Sequence, residues 1–77
     1  MSRRDKLVAR LRSFPSQMAF DEVRRVIEAH GGELANVDGS HHRFRASGKR
    51  SIVVTVVGGR WVKRYKLKEV CEWLGLD

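Results

Sequence analysis

The chain has 77 residues, one cysteine, and sixteen Lys and Arg against nine Asp and Glu, for a net charge of +7. A chain of this length buries only about 60% of the surface its unfolded form exposes, which excludes a second domain and a deep enclosed cleft. One cysteine excludes an internal disulfide, and the positive surplus points to an anionic partner, nucleic acid or an acidic protein.

The first segment, Arg3 to Phe14, places Leu7, Leu11 and Phe14 at i, i+4 and i+7, with Val8 beside them. That spacing predicts one apolar stripe on a helix. Ser2 suits its N-cap, and Phe14-Pro15-Ser16 ends it, because the residue before a proline resists the helical region. Phe20 to Gly32 repeats the pattern, with Phe20, Val23, Val26 and Ile27 apolar. Asp21 and Glu22 complement the dipole in the first turn, His30 suits the last, and Gly31-Gly32 offers a left-handed cap.

The period then shortens. Asp38-Gly39 and Ser47-Gly48-Lys49 are turn signatures and divide the next stretch into three antiparallel strands, Glu33 to Val37, His41 to Ala46 and Arg50 to Val57. The β-branched run Ile52 to Val57 is the most apolar, which favours a central place for the third strand. Gly58-Gly59 ends it. Tyr65 to Leu76 forms a last amphipathic helix, with Leu67, Val70, Cys71 and Leu74 on one side and Cys71 a small buried thiol. The order α-α-β-β-β-α predicts an α+β domain, a three-stranded antiparallel sheet with helices on one face. It resembles the double-stranded-RNA-binding fold. The single domain spans 1–77, with an extra helix over 1–16 and a core over 19–76. No apolar run reaches membrane-spanning length, and the chain reads as a cytoplasmic protein without a membrane partner.

Strand alternation separates the two adjacent histidines. Phe44 belongs to the core, so His42 shares its side, while His41, Arg43 and Arg45 share the open one. A bulge at Gly39-Ser40 would exchange the histidines. A neutral imidazole on a basic face takes the proton of a ribose 2′-hydroxyl, and an imidazolium protonates the leaving oxygen. Arginines beside it neutralise charge building on the phosphoryl oxygens. Backbone amides at Gly39 and Ser40 add phosphate donors. The bland alternative makes these residues phosphate contacts only, and Arg43, Arg45, Lys49 and Arg50 a charged sheet edge that discourages aggregation. The histidines and Cys71 have no zinc-ligand spacing, so neither a metal nor another cofactor is expected.

The stretch Phe20 to Arg45 resembles the HicA toxin family, small mRNA interferases of type II toxin–antitoxin systems. Gly39, Ser40, His41, His42 and Phe44 follow the family pattern in order and spacing after a helix and a strand. The resemblance covers roughly Phe20 to Leu76. It implies the double-stranded-RNA-binding-like fold, metal-independent RNA cleavage by one histidine, and a HicB-like antitoxin covering the site. The histidine after Gly-Ser is His41, the residue parity also selects; His42 is the second choice. Many members carry a proline and a further histidine after the third strand, and this chain has neither. Lys63-Arg64-Tyr65-Lys66 resembles the basic-aromatic segment of another branch, which makes Lys63 and Arg64 RNA-contact candidates alongside Gly39, Ser40, Arg43, Arg45, Lys49 and Arg50.

Trp61 and Tyr65 stand among cations. They suit either stacking on unpaired bases, or folding over the core and capping the final helix respectively. Trp73 has the spacing of a core or partner-interface residue. Three functions fit the whole: an endoribonuclease toxin, a non-catalytic RNA-binding module, and a domain that meets an acidic protein. The Gly-Ser-His-His segment on an open strand favours the first.

Overall fold

The computed structural model describes residues 2–76; Met1 and Asp77, the ends of the expected domain, lie outside them. The elements are α1 (Arg3–Arg12), β1 (Gln17–Ala19), α2 (Phe20–Ala29), β2 (Glu33–Asp38), β3 (His41–Arg45), β4 (Ile52–Thr55), β5 (Trp61–Lys63) and α3 (Arg64–Leu74). The predicted helices and meander are all present, and the fold is α+β as expected.

Local chemistry sets the helix ends. Ser2 caps α1 through a reciprocal box, its hydroxyl accepting from the Asp5 amide at 3.1 Å while the Asp5 carboxylate accepts from the Ser2 amide. At the other end the helix stops at Arg12, and Phe14 turns into the left-handed region at φ 49° before Pro15. Helix α2 closes on Gly31 at φ 90°, with Gly31 and Gly32 amides returning to the carbonyls of Glu28 and Ile27. His30 adds its own cap there. Its Nδ1–H donates to the Val26 carbonyl at 2.8 Å.

The core joins all three helices to one face of the sheet. Leu7 and Leu11 from α1, Val23, Val26 and Ile27 from α2, and Leu67 and Val70 from α3 form one cluster with Phe44, Ile52 and Val54. Cys71 is buried beside them. Helix α1 packs on α2 and α3. With Leu11 fully buried, it is an integral layer of the core.

Two features depart from the sequence reading. Strand β4 is an edge strand: the order is β2-β3-β4, with β3 central. A meander of two consecutive hairpins, here joined by a two-residue and a six-residue loop, must place its second strand in the middle. The apolar run of β4 comes instead from Ile52, Val54 and Val56 facing the core, with the half-buried Val53 and Thr55 on the other side. The second feature is a two-stranded sheet of β1 and β5, paired antiparallel from Gln17 with Lys63 to Ala19 with Trp61. Gly58-Gly59 does not simply end a strand. Both residues take positive φ and reverse the chain, so that Val57 bridges Trp61 and β5 begins.

Candidate nucleic-acid interface

Strand β3 pairs with β2 on one side and β4 on the other. The β2–β3 hairpin has a two-residue loop, Gly39-Ser40, between the paired Asp38 and His41. Gly39 is at φ 60° and Ser40 is not in the positive region, as a hairpin with glycine first requires. The loop contains no bulge, so the parity of β3 is preserved. His41 is exposed, His42 half-buried and Phe44 fully buried.

The two histidines have different surroundings. On the helix side, the His42 ring lies against Phe20 at the start of α2, with centroids 4.4 Å apart. Its Nδ1 is 3.2 Å from the Ser40 carbonyl, which only accepts, so this nitrogen carries the proton. The same carbonyl accepts from the Val56 amide at 2.8 Å. Two donors thus hold the turn that presents His41. The His42 ring supports the site from below, and the His41 ring stands in solvent.

A bulge does occur in the neighbouring strand. Between Leu34 and Asn36 the register of β2 shifts, so that Leu34 pairs with Phe44 while Asn36 pairs with Arg43 and Asp38 with His41. The extra residue transfers the second half of β2 to the opposite alternation. Asn36 and Asp38 therefore join His41, Arg43 and Val53 around one shallow depression on the open face. It brings together an imidazole, a guanidinium, a carboxylate and an amide. Sequence reasoning does not find Asn36 and Asp38 as site residues. Asp38-Gly39 reads in sequence as a turn, and nothing in the composition of β2 marks the bulge.

The remaining candidates fall in four places. Arg43 is at the depression, and Gly39 and Ser40 form its turn. Arg45 lies one alternation further along the same face, where its Nε donates to Glu33 at 3.0 Å, and Lys49 lines a second recess beside it. Because β3 is central, Arg43 and Arg45 are not the charged sheet edge of the alternative reading. Arg50 is exposed, and its carbonyl accepts from the Trp73 indole at 2.6 Å. Lys63 and Arg64 belong to the other sheet and the helix after it. The Lys63 ammonium donates to Gln17 at 2.9 Å, and Arg64 Nε donates to the Phe14 carbonyl at 2.9 Å, tying α3 to the turn after α1.

Of the aromatic residues, Tyr65 is 58% exposed in the first turn of α3, and the N-cap position belongs to Lys63, so Tyr65 does not cap the helix. Trp61 is half-buried under the Arg60 guanidinium, 4.8 Å from the ring centroid. Trp73 packs against the core. Among the described residues, no group of three His, Cys, Asp or Glu side chains is placed to hold a metal ion, and no helix is long and apolar enough to cross a membrane.

Neither the comparison with curated proteins nor that with solved structures gives a match. The comparison with protein families does, over residues 20–76, from the first residue of α2 to the end of the described chain. The matched family is described as HicA toxin of bacterial toxin-antitoxin. The match takes in the Gly39-Ser40 turn, both histidines, the whole β2-β3-β4 sheet and α3, and leaves α1 and β1 outside. With an α+β fold of the expected order and about three quarters of its length covered, this chain belongs to the HicA toxin family.

Proposed function

We propose that this toxin is an endoribonuclease that cuts mRNA in the cytoplasm without a metal ion, using His41 as its acid–base group. The observation that carries this reading is the placement of His41. It is the exposed histidine on the open face of the central strand, beside Arg43 and opposite Asp38. The neutral imidazole takes the proton of a ribose 2′-hydroxyl, and the oxygen attacks the adjacent phosphorus. The bond from phosphorus to the 5′-oxygen breaks, and the imidazolium returns its proton to that oxygen. A 2′,3′-cyclic phosphate and a 5′-hydroxyl are left. Arg43 offsets the charge that gathers on the phosphoryl oxygens. Asp38, the cross-strand partner of His41, lines the same depression. Gly39, Ser40, Arg45, Lys49 and Arg50 extend the phosphate-contacting surface along the turns and the open face. Lys63 and Arg64 contribute charge from the other sheet.

Neutralisation follows from the same exposure. A HicB-like antitoxin that covers the open face of β3 removes His41 and Arg43 from RNA together. The test is incubation of the purified protein with an mRNA transcript in excess EDTA. The wild type cuts and yields cyclic phosphate ends, whereas His41→Ala binds and does not cut. Binding without cleavage by the wild type would reassign the chain as a non-catalytic RNA-binding module.

A further inference from the structure

The open face of the main sheet is not the only basic surface. A separate recess lies where α1, the start of α2 and the Gly58–Trp61 hairpin meet, lined by Arg3, Arg10, Phe20, Arg25, Arg60 and Trp61 among others. Two of its arginines are already matched, Arg10 with Glu22 at 3.6 Å and Arg25 with Asp21 at 3.0 Å. Arg3 and Arg60 have no ion pair among the described residues, and they leave the recess positive.

Backbone hydrogen bonds tie down the aromatic part of the recess. Trp61 is held in β5 by its pairing with Ala19, and its amide and carbonyl bond across the hairpin to Val57 at 2.9 and 2.7 Å. The Arg60 carbonyl accepts from the Phe20 amide at 2.8 Å. Arg60 lies over the Trp61 ring. A guanidinium plane on an indole extends the stack for a further flat group, and both surfaces stack on nucleobases.

The hairpin is also close to the histidine turn. It continues directly from β4, whose Thr55 pairs with His41, and the intervening Val56 amide donates to Ser40. From strand spacings, the backbones of His41 and Trp61 are within roughly 15–20 Å of each other.

We propose that this recess is a second nucleotide-contact site, in which a base of single-stranded RNA stacks on the Arg60–Trp61 pair while the charges of Arg3 and Arg60 hold its flanking phosphates. The inference rests on the RNA-cleaving reading and adds to it the part played by α1, which lies outside the family match. The site fixes where the strand sits relative to His41. It therefore selects which phosphodiester is presented for cutting.

The experiment measures binding of a fluorescently labelled single-stranded RNA by anisotropy across a salt series, with His41→Ala as the parent so that the strand stays whole. Adding Arg3→Ala or Arg60→Ala weakens binding severalfold and lowers the salt slope by about 0.7 for each phosphate no longer neutralised. Adding Trp61→Leu weakens binding roughly tenfold, and Trp61→Phe restores most of it. Arg12→Ala, an exposed arginine on another side of α1, serves as the control and changes the slope little. Arg3 is exposed at the start of α1, so its replacement leaves the core intact and isolates the charge. Unchanged affinity and slope in the Arg3, Arg60 and Trp61 variants, with the parent still binding RNA, overturn the second site and leave the His41 reading standing. A wild type that neither binds nor cuts RNA overturns the parent reading, and this one with it.

Discussion

Replacing each histidine in turn separates a chemical role from a structural one by two independent readouts. His42→Ala removes a ring packed on Phe20 and the N–H that holds the Ser40 carbonyl. An aromatic contact contributes about 0.5–1.5 kcal/mol and a hydrogen bond a similar amount. The loss is then about 2 kcal/mol, a fall in melting temperature of about 10 °C for a domain of this size. His42→Phe retains the ring contact and recovers about half of that. His41→Ala touches nothing buried, so its stability stays within about 0.5 kcal/mol of the wild type. Its cleavage rate nevertheless drops by about 10²–10⁴, the contribution of a positioned acid–base group. Thermal unfolding followed by circular dichroism supplies the first readout, and cyclic-phosphate formation well below the lower melting temperature the second. The reasoning is refuted if His41→Ala proves the less stable of the two. It is refuted equally if folded His42→Ala is inactive while His41→Ala still cuts.

Two further substitutions test the frame around the site. Leu11→Ala opens a cavity at a fully buried position of α1 and costs about 2–5 kcal/mol, read as a shift of the urea midpoint; a change under about 1 kcal/mol means that α1 is a loose appendage and not a core layer. Trp73→Phe keeps an aromatic ring against the core but removes the indole bond to the Arg50 carbonyl. It lowers the melting temperature by about 4–8 °C, and an unchanged value shows that this bond does not anchor the start of β4 to α3.

The three helices, the two hairpin turns of the main sheet and the separation of His41 from His42 are all legible in the residues. Each depends on local periodicity or on a turn that only a few residue types accept. Alternation along β3 needs no partner strand, which is why Phe44 alone is enough to assign His42 to the core side.

What the tertiary structure decided came from pairing between distant segments. Strands β1 and β5 are three residues each, too short to carry a period, and exist because Gln17–Ala19 and Trp61–Lys63 satisfy each other's backbone groups. The central place of β3 follows from the hydrogen bonds it makes on both edges, and hydrophobicity along one strand does not report them. The β2 bulge is a mismatch of register between two strands, so no single strand records it. It nevertheless brings Asn36 and Asp38 to His41 and Arg43. The sequence thus determined which histidine faces outward, and only the assembled sheet determined which side chains surround it.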